Sequence, residues 1–179
     1  MENKFLYKKL EEKDFKSIVD VYENCFSEPP RNEIINREAI FNTIMDYYEN
    51  GCFWGVFFEN FLIGIMLAVK QENSHDYNDI KNYFEKNNLS INKEYYYIYS
   101  GCVLKEFRGS GVYNILSEYL YNDLFSKGVE GIYTRSRNDV VEINNFLIKK
   151  GFKKLFNEKF TINDVESLKT VWELDLIKR

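Results

Sequence analysis

The residues whose types and spacing could do chemistry gather at Arg108-Gly109-Ser110-Gly111, directly ahead of a run with helical periodicity. The first amides of a helix have no partner inside it, and glycines without Cβ atoms let an anionic group approach several of them at once. Such a turn can cradle a phosphate. One charge contact with a helix terminus contributes about 0.3 to 1 kcal/mol, so tight binding would also call on Arg108, other cations and apolar packing. Taken alone, the same four residues read equally well as a tight turn with glycines for steric reasons.

Other chemistries find less support. The turn lacks the Gly-Lys-Ser/Thr ending of a P-loop and the Gly-x-Gly-x-x-Gly spacing of a dinucleotide site. Cys25, Cys52 and Cys102 are far apart, with neither CxxC spacing nor a paired framework, and read as reduced thiols. Cys102 as an acyl-cysteine nucleophile is opposed by its strand context, which favours a packed thiol. The single His75 lies in a polar stretch and supports neither a zinc site nor a Ser-His-Asp triad, so no metal is expected.

The elements that must position the turn follow from periodicity. Tyr95 to Val103 is an aromatic and β-branched run of strand length, followed by a polar turn over 104–110. After it Val112, Ile115, Leu116, Tyr119, Leu120 and Leu124 recur at spacings of three and four, as along one helix face. Upstream, a strand is expected over 5–10 and a helix over 14–26 with Phe15, Ile18, Val19, Tyr22, Cys25 and Phe26 inward. Pro29 and Pro30 force a loop over 27–33, a second helix spans about 36–49, and Gly51 closes it. Strands over 53–58 and 61–70 flank the hairpin break Glu59-Asn60. The polar segment 71–93, with a short helical piece near 80–84, is either an acceptor-site flap or a passive insertion. Downstream come a strand over 131–135, a helix over 140–150 ended by Gly151, and strands over 152–160 and 170–177 joined by a connector over 161–169. This is a mixed α/β (α+β) pattern without internal repeats.

The segment Val103-Leu104-Lys105-Glu106-Phe107-Arg108-Gly109-Ser110-Gly111-Val112 resembles the core motif of the GNAT superfamily of acyl-CoA N-acyltransferases, Arg/Gln-x-x-Gly-x-Gly/Ala after a strand. Residues 138–152, which end in Gly-Phe, look like the next helix of that family. The resemblance covers nearly the whole chain in its order of elements. It implies a single GNAT-like domain over 1–179, a central mixed twisted sheet flanked by helices, and acetyl-CoA as co-substrate. It further implies that backbone near Cys102, Val103 and Leu104 aligns the pantetheine arm and polarises the thioester carbonyl, that Arg108, Gly109, Ser110, Gly111 and Val112 hold the pyrophosphate, and that Asn138 also contacts the cofactor.

Three positions depart from the family pattern. Tyr113 stands where the motif ends in Gly or Ala, Leu147 where many members have a tyrosine that protonates the departing thiolate, and Tyr97 where histone-type members place a glutamate base. A different tyrosine is then expected to serve as acid, with Tyr97, Tyr99, Tyr113 and Tyr133 as candidates, each of which could equally be structural. Glu28 and Glu33 in the proline loop could attract a cationic amine, or be two solvated carboxylates. A lysine-like ammonium with pKa near 10.4 lies about 3.4 units above neutral pH, so freeing its lone pair costs roughly 4.6 kcal/mol. Desolvation and a base or water chain could supply part of that. The expected activity is direct transfer of acetyl to a primary amine of a small molecule or protein in a ternary complex. The alternative is an acyl-CoA-binding regulatory module with little catalysis, which a leucine at 147 permits.

At 179 residues and 45% hydrophobic side chains, one domain with a real core is the natural reading. A formal net charge of -4 argues against a nucleic-acid partner. The N-terminus lacks a signal-peptide core and the longest apolar run, 61–69, cannot span a bilayer, so no membrane partner and a cytoplasmic location are expected. Aromatic content of 17% suits a homodimer interface as well as a deep core.

Overall fold

The computed structural model describes residues 5–91, 94–162 and 165–177. Seven strands form one mixed sheet in the order β1-β2-β3-β4-β5-β7-β6. They are β1 (Leu6–Lys9), β2 (Gly51–Phe58), β3 (Phe61–Lys70), β4 (Tyr95–Val103), β5 (Gly131–Arg137), β6 (Lys153–Ile162) and β7 (Val165–Asp175). The helices are α1 (Phe15–Phe26), α2 (Arg37–Tyr48), α3 (Tyr77–Lys86), α4 (Val112–Ser126) and α5 (Val141–Lys149). The chain divides into two compact units, Met1–Ala68 with Ser100–Leu124, and Val69–Tyr99 with Phe125–Arg179.

In the first unit β1 pairs antiparallel with β2. The break Glu59-Asn60 makes a two-residue turn with both φ values positive, at 49° and 71°, which matches the twist of a hairpin. Helix α1 buries Phe15, Ile18, Val19, Val21, Cys25 and Phe26, and Phe15 meets Tyr48 of α2 edge to face at 5.0 Å. Gly51 does not end α2 as expected but begins β2. A Cβ there would lie 2.6 Å from the Tyr47 carbonyl, so close approach, not a left-handed turn, requires the glycine.

Helix α4 buries Val112, Leu116, Ser117, Leu120, Tyr121 and Leu124. Ile115 and Tyr119, expected on the inner face, are 44% and 42% exposed. The stripe is rotated toward Ser117, whose hydroxyl donates to the Asn114 carbonyl at 2.7 Å and so can be buried. Tyr119 instead stacks on Tyr7 at 5.2 Å and leans on Trp54 at 5.0 Å. Asp123 ties this helix to the strands, accepting from Trp54 Nε1 at 3.1 Å and Cys52 Sγ at 2.9 Å and pairing with Lys9 at 3.0 Å.

In the second unit β4 and β5 run parallel from Tyr95↔Gly131 to Ile98↔Thr134, and β7 lies antiparallel to both β5 and β6. The connector expected over 161–169 is mostly strand, because β6 and β7 form a long hairpin paired from Lys153↔Glu173 to Ile162↔Val165. The polar segment after β3 holds a longer helix than its apolar residues suggest. Ile80 and Phe84 of α3 are buried, Phe84 meets Tyr133 edge to face at 6.0 Å, and Tyr83 stacks on Phe156 at 4.1 Å.

Candidate functional site

Strand β4 delivers the chain to the glycine turn in the first unit. The Leu104 amide donates to the Ile63 carbonyl at 2.8 Å, one 3-10 turn over Lys105–Phe107 follows, and α4 starts at Val112. Phe107 anchors the turn against Phe58 at 5.3 Å and Phe5 at 6.3 Å. Gly109 and Gly111 have φ of +77° and +81°, and an added Cβ would meet nothing within 4 Å at either. Backbone conformation alone thus demands these two glycines, and the space over them is open. Residues 109–111 are exposed, ahead of the fifteen-residue helix α4 with its unpaired first amides.

The side chain of Arg108 is folded back onto the protein. Its Nε donates to the Val103 carbonyl at 2.9 Å and its Nη2 pairs with Glu28. This pair ties the proline loop to the glycine turn. Glu33 pairs with Arg31 at 3.5 Å, whose guanidinium lies over the Phe26 ring at 4.2 Å. Both carboxylates proposed to attract an amine therefore already have cationic partners.

The end of β4 has two differently furnished faces. On the Gly101 face, a Cβ would lie 2.7 Å from Met66 Sδ and 2.8 Å from Tyr113 Oη. Tyr113, the departure from the family motif, thus reaches back from the first turn of α4 to β4, in space that Gly101 leaves free. Burial first, and then the neighbouring Cys102, push its phenol well above the ordinary value, so it is protonated at neutral pH. On the other face the free thiols of Cys102 and Cys25 of α1 share a hydrogen bond. That bond, with the Arg108 cation, outweighs burial and lowers the Cys25 thiol, while burial and the neighbouring Cys25 push Cys102 well up.

Tyr97, Tyr99, Tyr133 and Asn138 belong to the second unit. Tyr97 is 4% exposed, and burial followed by the nearby Asp76, whose carboxylate also bonds the phenol, pushes it well up. Tyr133 is buried against Tyr95 at 4.8 Å, and burial, then Glu173, raises it too. Tyr99 is half-buried. Arg135, which the sequence did not mark out, pairs with Asp76 at 2.5 Å, Glu158 at 2.9 Å and Asp79 at 3.1 Å. Asn138 at the end of β5 shares a 2.7 Å bond with the Thr170 hydroxyl, and its amide donates to the Leu168 carbonyl. Leu147, in place of the family tyrosine, is 3% exposed inside α5.

Of the residues singled out from sequence, the structure therefore places Cys102, Val103, Leu104, Arg108 to Val112, Tyr113, Glu28 and Glu33 in one unit. Cys25 and Ser100, not proposed from sequence, join them at the end of β4; nothing in their types or spacing marks either one. Among the described residues no group of three or more His, Cys, Asp or Glu side chains is placed to hold a metal ion, and no helix is long and apolar enough to cross a membrane.

No family model and no curated protein matches the sequence. Solved structures do match the fold. The ribosomal-protein-S18-alanine N-acetyltransferase from Escherichia coli superposes with a TM-score of 0.73 at 10% identity, covering 97% of this chain and 94% of that one. The ribosomal-protein-alanine N-acetyltransferase from Brucella melitensis gives 0.73 at 10% identity over 95% and 99%. A GNAT-family acetyltransferase from Staphylococcus aureus gives 0.70 at 13% identity over 97% and 99%. At these identities the likeness speaks for architecture, and the chain has the fold of the GNAT acyl-CoA N-acyltransferases.

Proposed function

We propose that this chain, as one GNAT-like domain over 1–179, is a cytoplasmic N-acetyltransferase that moves acetyl from acetyl-CoA to a primary amine of a small molecule or protein. The observation that carries the reading is the open turn at Gly109 to Gly111 ahead of α4, whose positive φ values and empty surroundings fit a bound pyrophosphate. The fold of its neighbours, two of which are described as alanine N-acetyltransferases of ribosomal proteins, supports the same chemistry.

Acetyl-CoA, when bound, supplies an activated thioester. The amides of Gly109 to Val112 would hold its pyrophosphate, with the backbone of Cys102 to Leu104 beside the arm. Arg108 acts mainly by shape, since the Val103 carbonyl and Glu28 hold its guanidinium and so fix the turn. Asn138 belongs to the second unit, where its Oδ1 accepts from the Thr170 hydroxyl. Of the four tyrosines, Tyr113 is the one whose hydroxyl reaches the end of β4 in the turn's own unit. A thiol titrates near 8.5 and the raised phenol well above it, so Tyr113 stabilises a departing sulfur by donating a hydrogen bond rather than by full proton transfer.

Acetyl-CoA should stabilise the chain against heat where ATP and NAD do not. At one hundred times its dissociation constant a ligand contributes about 2.7 kcal/mol, or roughly 5 to 11 °C at this length. With an amine that turns over, Tyr113→Phe is expected to lower kcat by at least tenfold while Tyr97→Phe leaves it unchanged; the reverse order would remove the assignment. The buried Leu147 favours a second reading, an acyl-CoA-binding regulatory module. That reading predicts the same thermal shift with no turnover across an amine panel.

A further inference from the structure

Two sulfurs that the proposed acetyl transfer does not use meet where α1 packs on the end of β4. Cys25 and Cys102 are free thiols that share a hydrogen bond, Cys25 being 6% exposed and Cys102 half-buried. A thiol that only fills space needs neither a second sulfur nor a cation beside it. Cys25 has both, because the Arg108 guanidinium reaches it as well. The Arg108 side chain is 44% exposed, so the pair lies just beneath the surface. The two thiols are also unlike each other. The bond from Cys102, with the Arg108 cation, outweighs burial and the repulsion of Glu28 and lowers Cys25, while burial and the neighbouring Cys25 raise Cys102. Thiolate is the reactive form, and a second thiol next to it makes its oxidation reversible.

We infer that Cys25 and Cys102 are an oxidisable pair that reduces a hydroperoxide and closes into a disulfide, with Cys25 as the attacking sulfur and Cys102 as the resolving one. The inference goes beyond the proposed transfer and does not depend on it. With hydrogen peroxide, the Cys25 thiolate bonds to one oxygen and the oxygen–oxygen bond breaks. The hydroxide that leaves takes up the proton that Cys25 lost and becomes water. The Cys102 sulfur then displaces the hydroxyl of the Cys25 sulfenic acid. The sulfur–sulfur bond forms, the sulfur–oxygen bond breaks, and the departing hydroxide takes the Cys102 proton as a second water. Two electrons pass from the sulfur pair to the peroxide. Sulfurs that already share a hydrogen bond need only small side-chain rotations to reach bonding distance, and the product ties α1 to the strand that leads into the glycine turn.

The experiment exposes the folded, reduced full chain to hydrogen peroxide, unfolds it in iodoacetamide to block the remaining thiols, and maps its peptides by mass spectrometry without reduction. Cys52 is the internal control, since it is 3% exposed, no more accessible than Cys25, and its thiol donates to Asp123 at 2.9 Å. The expected product is a monomer in which the peptides of Cys25 and Cys102 are linked and together two hydrogens lighter, with Cys52 still alkylated. Dithiothreitol should reverse the link, and Cys25 should oxidise about tenfold or more faster than Cys52. In Cys102→Ser the attacking sulfur should stop as a sulfenic acid that dimedone labels, whereas in Cys25→Ser Cys102 should take no dimedone. Three thiols that all remain alkylatable, links that involve Cys52 or join two chains, or a Cys25–Cys102 link that forms only in urea would each overturn the inference. Dimedone on Cys102 rather than Cys25 would overturn the assignment of attacking and resolving sulfur.

Discussion

Arg108 and Arg135 show what distinguishes the two regions that the sequence marked for chemistry. Arg108 is 44% exposed, held by one carboxylate and one carbonyl beside open glycines. Arg135 is 10% exposed and holds Asp76, Asp79 and Glu158 around the buried Tyr97. An exposed ion pair contributes about 0 to 1 kcal/mol and is screened by salt, so Arg108 can serve a turn that must admit a ligand. A buried pair is costly to form and far costlier to break, which suits a cluster that fixes α3 in its unit. Open and weakly paired marks a place for binding; buried and multiply paired marks scaffold, even where tyrosines gather.

The contrast between the two arginines breaks most visibly at Arg135. Arg135→Met would leave Asp76 partly buried without its guanidinium and Glu158 with only the weaker Lys169, and is expected to cost about 3 to 5 kcal/mol, or roughly 6 to 20 °C in the unfolding midpoint. A loss under 1 kcal/mol would show that the cluster is not a tight scaffold. Next in size are two glycines with almost the same backbone. Gly111 and Gly128 have φ of +81° and +78°, and an added Cβ would meet nothing within 4 Å at either. Alanine at either should cost about 1 to 2 kcal/mol for the left-handed conformation. Gly111→Ala alone is expected also to weaken acetyl-CoA, by about tenfold or 1.4 kcal/mol, as the turn's amides shift. Equal titration curves for the two variants would mean that the turn at Gly111 holds no anion.

What was legible in the sequence was what local periodicity dictates. The run of β4 is observed with its expected ends, and α1 buries most of the face that its spacing marks out. The failures lie where a distant partner decides. The sequence over 161–169 is polar enough for a connector, yet β6 and β7 pair through it, with Lys159 and Glu166 joined at 2.8 Å and Lys169 over the Phe160 ring at 4.1 Å. Helix α3 has few apolar residues of its own, and Asp76 and Asp79 at its start are fixed by Arg135, 56 residues on from Asp79. At the site, the glycine turn was readable because φ is a local property. Tyr113 was named from the sequence as one of four tyrosines, but what sets it apart from the other three depends on the missing side chain of Gly101; Ser100 was not marked at all, because an unpaired hydroxyl is visible only once its surroundings exist.

The smallest expected effect tests the closed region from within. Glu158 touches Arg135 Nε at 2.9 Å, yet its carboxyl is pushed up, because burial outweighs the guanidinium, and Asp79 and Asp76 add repulsion that Lys169 only partly offsets. A carboxyl with a raised folded value binds protons more readily in the native state than in the unfolded chain. Its contribution to stability is therefore fully present below the ordinary carboxylate range and is lost as pH rises through the folded value, the reverse of a carboxylate held down by its partner. Urea unfolding of wild type and Glu158→Gln from pH 4 to 7 reads this directly. The stability of wild type relative to the variant should fall as pH rises, by less than the cost of Arg135→Met, since Arg135 keeps Asp76 and Asp79. A difference that grows with pH would show that Arg135 attracts the Glu158 carboxylate more than burial opposes it, and the cluster would then be a pair-stabilised site like that at Arg108 rather than a scaffold that tolerates a strained charge.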